Sequence, residues 1–409
     1  MTSGVAPTCV STGHGLGICS RCGLEERDEN EIMPIDPAAH NWNSDLICVH
    51  CSAEAFQLTV TVTADDLTFR LPIKDGSENN FTYYAGNGYM RHYTDSPENG
   101  EGELIPYGQP GEYIIILTGH TYFKGTYNEA NGGALGFGFG SSTTAGTYGE
   151  QKNREKLTGI KGRLPCLLGD YVPASKVFIF ASIFRGCANL TGSIPVELFS
   201  GINWAPALSM FQSTFENCRG LTGSIPSDLF SGIKGAPAVL MFSDTFNGCS
   251  GLTSIPSGLF IGIKDAPATG MFQATFRGCN GLKGSIPDNL FGDLVGRPAA
   301  FMFSATFLGC NSLESISPRL FSGISGAPMS YMFQTTFWGC SSLKGSLSIM
   351  CLHYRQTLFS LTTFYLCCYN LAADHPHPSG TYSRIGVCLC MLLKMVSITF
   401  SKKKLTDTT

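Results

Sequence analysis

The chain has 409 residues, of which 43% are apolar and 14% charged, with a net charge of −4. This length and apolar content allow two or three domains with substantial cores. Sparse, slightly acidic charge argues against a basic groove for nucleic acid and against a polybasic membrane patch. The opening residues, MTSGVAPTC, have no basic region and no apolar stretch, so they predict no standard secretory signal.

Residues 1–55 form a predicted cysteine-rich module with two C-x-x-C pairs. Two such pairs supply four thiolates to one tetrahedral ion, which predicts a structural zinc site of the zinc-ribbon type. The predicted metal ligands are Cys19, Cys22, Cys48 and Cys51. Other residues nearby that can replace one of them are Cys9, His14, His40 and His50.

The alternative for this module is a pair of disulfides in an oxidising compartment. In either case the cysteines cross-link and so stabilise a segment that is too short and polar to build a large core. The order CSRCG, then Ala39-His40-Asn41-Trp42, then a second C-x-x-C is similar to small cysteine-rich modules that accompany repeats on bacterial surface proteins.

Residues 56–150 are predicted to be a β-rich spacer, a small β-sandwich. In QLTVTV the apolar residues Leu58, Val60 and Val62 alternate with threonines, which indicates a strand with one buried face. The stretch GEYIIILTGHTY resembles the closing strand of PKD-like, immunoglobulin-like spacer domains. Residues 151–177 are predicted to be a linker or an N-terminal cap for residues 178–346.

Residues 178–346 contain six copies of one unit with a period of 30–31 residues. Each copy has a cysteine, a Phe three residues before it, a Phe seven before it and a Leu three after it. The cysteines are Cys187, Cys218, Cys249, Cys279, Cys310 and Cys340. A unit this short cannot bury its own apolar residues, so the pattern predicts stacked repeats with a shared core.

Within a unit, GLTGSIP is typical of a short strand that ends at the proline. The stretches MFQSTF and SDLFSGI are typical of short helical turns, in the first because apolar residues recur at i and i+4. The predicted fold class is therefore an α/β repeat solenoid with parallel strands and short helical turns, preceded by the β-sandwich and the zinc-ribbon-like module.

The motif MFxxTFxGCxxLTGSIPxxLFSGI resembles the BspA-like leucine-rich repeats of bacterial and protist surface proteins. The resemblance covers about 165 residues. It implies a leucine-rich-repeat architecture, a cell-surface or secreted location and a role in adhesion or recognition, but it names no ligand.

The recurring cysteines have a catalytic interpretation and a structural one. No histidine occurs in residues 178–343, so no imidazole base or ligand is available within the repeats. We therefore expect the six cysteines to be a core ladder of buried thiols. The side chains after each cysteine are mostly small and polar, and they are expected to line the exposed face.

Residues 347–409 do not continue the repeat, and the segment is predicted to be an aberrant, poorly ordered tail. One explanation is a frame change in the gene, which permits proline at the place of Ser348 and Phe at that of Leu352. The other is a membrane anchor formed by IGVCLCMLLKMVSITF. This run is shorter than the ~20 residues that span a bilayer. The membrane is therefore not an expected partner.

The sequence thus favours a non-enzymatic binding or adhesion protein whose repeat face meets a protein or glycan ligand. One alternative is an intracellular, cytoplasmic scaffold with a zinc ribbon. A second is a hydrolase in the β-rich middle that uses His92 or His120, the two histidines between residues 51 and 352. No nucleophile motif accompanies either histidine.

Overall fold

A computed structural model describes residues 40–74, 76–95, 102–124, 134–139, 153–291, 293–317, 319–326 and 329–344, and the backbone of 13–18 and 25–33. The predicted tail, residues 347–409, lies outside the described residues. The chain divides into two compact units. The first runs to Trp204 and includes residues 218–221 and 226–233, and the second comprises the rest of the chain from Ala205.

The first unit begins with an antiparallel pair, β1 (Gly13–Ile18) and β2 (Glu25–Met33). Its main sheet has five antiparallel strands in the order β6-β5-β8-β3-β9. The sheet strands are β3 (Ala55–Val62), β5 (Glu78–Tyr84), β6 (Met90–Tyr93), β8 (Gly111–Tyr122) and β9 (Leu157–Gly162). A separate antiparallel pair joins β4 (Thr68–Arg70) and β7 (Leu104–Pro106).

Strand β3 lies between β8 and β9 and has the predicted alternation. Leu58, Val60 and Val62 are buried, while the threonines between them are partly exposed. Leu58 lies opposite Ile115 of β8, which is also buried. The alternation is therefore confirmed, and it places the core on one face of the sheet.

Strand β9 lies within the segment predicted to be a linker or cap. It pairs with β3 on one side, and the carbonyl of Thr158 accepts a hydrogen bond from the N–H of Thr191 in the first repeat at 3.0 Å. A 3-10 helix, Leu164–Leu168, follows, and the N–H of Leu164 donates to Leu198 of the first repeat. Strand β9 thus belongs to the sheet, and both this strand and the start of the 3-10 helix contact the first repeat.

The predicted α/β repeat solenoid with short helical turns is wrong. The regular secondary structure of the described residues consists mainly of strands, and its larger sheet is antiparallel. In the described residues, helix is confined to the 3-10 helix and a four-residue segment at 153–156. The repeats contain β10 (Gly223–Ser224) paired with β11 (Leu252–Ser254), and β12 (Gly284–Ile286) paired with β13 (Leu313–Ile316), both parallel.

The stretches predicted to be helical turns have a different backbone. In LMFSDTFNGC, every fourth residue has a left-handed conformation: Leu240 (φ 54°), Asp244 (φ 55°) and Gly248 (φ 77°). An α-helix does not tolerate such residues in its interior. The i, i+4 spacing of the phenylalanines therefore arises from this four-residue backbone repeat and not from a helix.

The backbone N–H groups of these stretches alternate between two kinds of partner. Phe242 donates to Met271 of the next copy at 2.9 Å, whereas Ser243 donates to Leu240 three residues back at 3.1 Å. Each of the four junctions in the second unit has five such bonds between copies, with N···O distances of 2.6–3.1 Å. The hydrogen bonds that a helix would make internally are thus shared with the neighbouring copy.

Two rows of phenylalanine rings stack along the second unit. Neighbouring rings have centroids 5.5–5.9 Å apart and planes within 12° of parallel, which corresponds to offset stacking. The rows are Phe211, Phe242, Phe272, Phe303 and Phe333, and Phe215, Phe246, Phe276, Phe307 and Phe337.

The six ladder cysteines are buried thiols. In five copies the thiol donates a hydrogen bond to the carbonyl of a Phe in the preceding copy, as Cys279 does to Phe246 at 3.0 Å. Burial raises the pKa of Cys279 and Cys310 well above the ordinary value, so both stay protonated donors at neutral pH. This arrangement suits a structural role and removes the thiolate that chemistry would need.

Candidate metal centre

The segment between the first hairpin and β3 folds into a compact turn around Asn43. The side-chain oxygen of Asn43 accepts hydrogen bonds from the N–H groups of Asp45 at 2.9 Å and Ile47 at 3.0 Å. This is the local geometry that asparagine favours in turns. It reverses the chain so that Trp42 forms an antiparallel bridge with Cys48.

A second turn brings the two cysteines of the C-x-x-C pair to the same side. The N–H of Ser52 donates to the carbonyl of Cys48 at 2.9 Å, and Ser52 has a left-handed φ of 59°. Cys48 itself donates its N–H to Ala53 at 2.8 Å, which closes the turn. Both sulfurs therefore lie near the His40 ring.

His40, Cys48 and Cys51 form a cluster that can hold a metal ion. Their ligand atoms all lie within 4.8 Å of one another, and Cys51 Sγ is 3.4 Å from His40 Nδ1. The His40 ring packs against Trp42 with centroids 4.7 Å apart. A thiol, thiol and imidazole set at this spacing fits a tetrahedral ion with bonds of about 2.0–2.3 Å.

The environment of Cys48 favours its thiolate. Burial alone raises the pKa of this thiol, but the backbone N–H groups of Cys51 and His50 donate to its sulfur. Together with hydrogen bonds from the His40 ring and the N–H of Asn41, they lower the pKa of Cys48 to about 5. The deprotonated sulfur is the form that ligates metals.

The cluster is attached to the five-stranded sheet. Ala55, the first residue of β3, donates its N–H to Leu46 at 2.9 Å, and Leu46 is buried. Glu54, directly before β3, forms an ion pair at 2.6 Å with Arg163, directly after β9. These contacts hold the turn at the end of the sheet where β3 begins and β9 ends.

Two of the four predicted metal ligands, Cys48 and Cys51, lie in this cluster. The other two, Cys19 and Cys22, lie outside the described residues. The sequence indicates His40 only as a substitute, because a single histidine 8 residues before a C-x-x-C pair carries little spacing information. The stretch His40-Asn41-Trp42, with an aromatic ring to support the imidazole, is the sequence signal for it.

The histidines of the hydrolase hypothesis lie on the sheet. His92 is exposed, and its Nδ1 lies 3.2 Å from Thr82 Oγ1. His120 is half-buried and stacks on Tyr122 with centroids 5.2 Å apart. These contacts are the cross-strand and same-strand contacts of an ordinary sheet surface.

No protein family, no curated protein and no solved structure matches the chain. Among the described residues, no helix combines the length and apolar character that a membrane crossing requires.

Proposed function

We propose that this chain is a non-enzymatic binding protein that presents the exposed side chains of its repeats to a protein or glycan ligand. The observation that supports it is the exposure of the residue after the ladder cysteine. In the second unit this residue is exposed in three copies, as Asn280, Asn311 and Ser341.

The division of roles within a repeat favours this proposal. The residues that recur in every copy, Phe, Cys and Leu, are mostly buried, so they specify the backbone. The residue after the cysteine differs between copies and is polar in five of the six, so it can change without loss of the core. Binding proteins built on repeats use their surfaces in this way. The cell-surface location rests on the motif resemblance, and an intracellular scaffold remains the rival proposal.

Binding to immobilised glycans and glycoproteins tests the proposal. The full chain is compared with a triple variant, N280A/N311A/S341A, on a glycan array and on immobilised mucin and fibronectin. We expect at least one probe to bind the wild-type chain and to lose about tenfold or more in affinity with the triple variant.

The matched control is Val295→Ser, a change at a repeat residue that is 52% exposed and lies midway in sequence between Asn280 and Asn311. It should leave the affinity unchanged. If wild type binds no probe, or if the triple variant and the control bind alike, the proposed face is wrong.

We further propose that the His40, Cys48 and Cys51 cluster binds a structural zinc ion, with Cys19 or Cys22 as the fourth ligand. The donor set supports zinc, since thiolate and imidazole are its usual protein ligands. Four protein ligands leave no open position for catalysis, so the ion would stabilise the N-terminal module by cross-linking its ligands.

Metal analysis of the full chain tests this second proposal. We expect one equivalent of zinc, and cobalt substitution should give the strong thiolate-to-metal absorption of a tetrahedral site. The variants Cys48→Ser and Cys51→Ser should lose the metal, whereas Cys166→Ser, at a half-buried thiol outside the cluster, should retain it. Retention of zinc by both cluster variants would disprove the site.

A further inference from the structure

The two cysteines of the candidate metal centre differ in their exposure to solvent. Cys48 is 1% exposed, whereas Cys51 is half-buried, as is His40. The ladder cysteines are no more exposed than Cys48. Among the described residues, Cys51 is therefore one of two half-buried thiols, and the other is Cys166 in the 3-10 helix.

The sulfurs of Cys48 and Cys51 are close enough to be joined to each other. They lie within 4.8 Å of one another, at the two ends of a turn that the N–H of Ser52 closes onto the carbonyl of Cys48. A reverse turn keeps Cα atoms three residues apart within about 7 Å, and a disulfide spans Cα atoms about 4.4–6.8 Å apart. Rotation of the side chains is thus enough to bring the sulfurs into contact.

The backbone bonds that close this turn do not use the sulfurs. Cys48 donates its N–H to Ala53 at 2.8 Å, and Val49 donates to Asn41 at 2.9 Å. These bonds are available whether the two sulfurs bind a metal ion or each other. The turn therefore accommodates both chemical states of the pair.

We infer that Cys48 and Cys51 are a redox switch, in which a hydroperoxide converts the zinc-bound pair into a disulfide and the zinc ion is released. This inference rests on the proposed zinc site. Zinc binding and disulfide formation, which the sequence leaves as alternatives for this pair, then become two states of one site.

The first step takes place at Cys51. Both sulfurs are thiolates when they bind zinc, so exposure decides which of them a hydroperoxide meets. The Cys51 sulfur attacks the O–O bond of hydrogen peroxide, and a sulfur–oxygen bond forms as the O–O bond breaks. The departing hydroxide takes a proton from solvent and becomes water, which leaves Cys51 as a sulfenic acid.

The second step joins the two cysteines. The thiolate of Cys48 attacks the sulfur of Cys51, the S–S bond forms, and the sulfur–oxygen bond breaks. The hydroxide that departs takes a second proton from solvent. The pair has then lost two electrons, hydrogen peroxide has been reduced to two waters, and the zinc ion leaves because two of its thiolate ligands are gone. Cys48 needs no exposure for this step.

The ladder cysteines lack the conditions for this reaction. Cys279 is fully buried, and its thiol donates a hydrogen bond to the carbonyl of Phe246 at 3.0 Å. A hydroperoxide reaches such a thiol only when the repeat opens. Mild oxidation should therefore act on the metal cluster and leave the ladder reduced.

The switch is local, because the attachment of the turn to the sheet does not depend on the metal. Glu54 pairs with Arg163 at 2.6 Å, and Ala55 donates its N–H to Leu46 at 2.9 Å. Oxidation should free His40 and the fourth ligand from the ion while β3 keeps its place in the sheet.

Treatment of the zinc-loaded full chain with equimolar hydrogen peroxide tests the inference. A chromogenic chelator should detect release of the bound zinc at least about tenfold faster than without peroxide. Peptide mapping should show a disulfide between Cys48 and Cys51 and free thiols at the ladder cysteines. Dithiothreitol and added zinc should restore the zinc-bound form. A disulfide to any other cysteine, or a sulfinic acid in place of the disulfide, would overturn the inference.

Cys166→Ser is the matched control, because it removes the other half-buried thiol of the described residues. This variant should release zinc at the wild-type rate, and loss of release would show that the oxidation runs through Cys166 instead. A reduced chain that holds no zinc would overturn the zinc site together with the switch. A zinc-loaded chain that keeps its zinc under peroxide would overturn the switch alone.

Amide hydrogen exchange separates a local switch from unfolding. We expect oxidation to accelerate exchange around His40 about tenfold or more and to leave exchange in β3, residues 55–62, unchanged. Faster exchange throughout β3 would mean that oxidation unfolds the sheet, and the inference of a switch would be wrong.

Discussion

At the scale of single residues, the cysteines of this chain occupy two opposed environments. Cys48 is surrounded by hydrogen-bond donors that lower its pKa to about 5. Burial raises the pKa of Cys279, and its thiol donates to a carbonyl. The same residue type is thus a candidate metal ligand in one place and a structural hydrogen-bond donor in the other.

The ladder thiols should contribute measurably to stability. Replacing Cys279 with Ala removes a buried sulfur and leaves the carbonyl of Phe246 without this donor. We expect the free energy of unfolding in urea to fall by about 1–3 kcal/mol. The variant Cys166→Ala, at a half-buried thiol, is the control and should lose less. An equal loss in the two variants would contradict a special role for the ladder.

Asp244 should make stability depend on pH. Burial raises the pKa of its carboxyl group, although Ser243 donates to the carboxylate at 2.7 Å. Because the folded pKa lies above the unfolded one, the contribution of this group is favourable at low pH and is lost as the pH rises through the folded pKa.

Asp244→Asn should therefore raise the free energy of unfolding at pH 7 relative to wild type, and the difference should shrink as the pH falls below the unfolded pKa. Asparagine also tolerates the left-handed backbone at this position. Urea unfolding at several pH values measures the gain in free energy of unfolding at pH 7 and its decrease at low pH. Asp228→Asn, at an exposed carboxylate, should change neither. A variant less stable than wild type at pH 7 would contradict the argument.

At the scale of elements, the sequence pattern predicts the strand β3 but not the backbone of the repeats. Alternation at Leu58, Val60 and Val62 has one structural explanation, a strand with one buried face. Spacing of i and i+4, as in Phe272 and Phe276, has two explanations. A helix and a chain with a left-handed residue at every fourth position both place these rings on the same side.

The residues at the left-handed positions give no local signal of their conformation. In MFQATFRGC, one is Ala274, a residue that ordinarily favours helices. Hydrogen bonds to the next copy stabilise the unfavourable conformation, and such bonds cannot be predicted from local propensity. One of the three residues of the metal cluster presents the same difficulty, because C-x-x-C spacing marks Cys48 and Cys51 while His40 joins them only through the fold.

Close contact between neighbouring turns should make one glycine irreplaceable. A Cβ atom at Gly232 would lie 2.0 Å from the carbonyl oxygen of Ile202, so the backbone would have to move. We expect Gly232→Ala to lower the free energy of unfolding by about 2–4 kcal/mol. Gly108→Ala, where a Cβ atom meets nothing within 4 Å, is the control and should change stability little. Thermal unfolding of both variants measures the difference.

At the scale of the whole molecule, the second unit is built from junctions that repeat the same contacts. Each has five backbone bonds between the Phe-rich stretches of adjacent copies and one ring-stacking contact in each phenylalanine row. Stability of such an array is approximately a sum of unit terms and nearest-neighbour terms. The number of copies should therefore be adjustable, provided that the register is kept.

Deletion of one period tests this property. Removing residues 250–279 joins Cys249 to Asn280, so the chain passes from one cysteine position to the next without a change of register. We expect the shortened chain to fold, with retained near-ultraviolet circular dichroism and a smaller urea m-value, because less surface is exposed on unfolding. Removing residues 250–264 instead places turn positions opposite core positions, and this chain should fail to fold. Comparable folding of the two deletions would show that the repeats do not depend on the register of their rings and thiols.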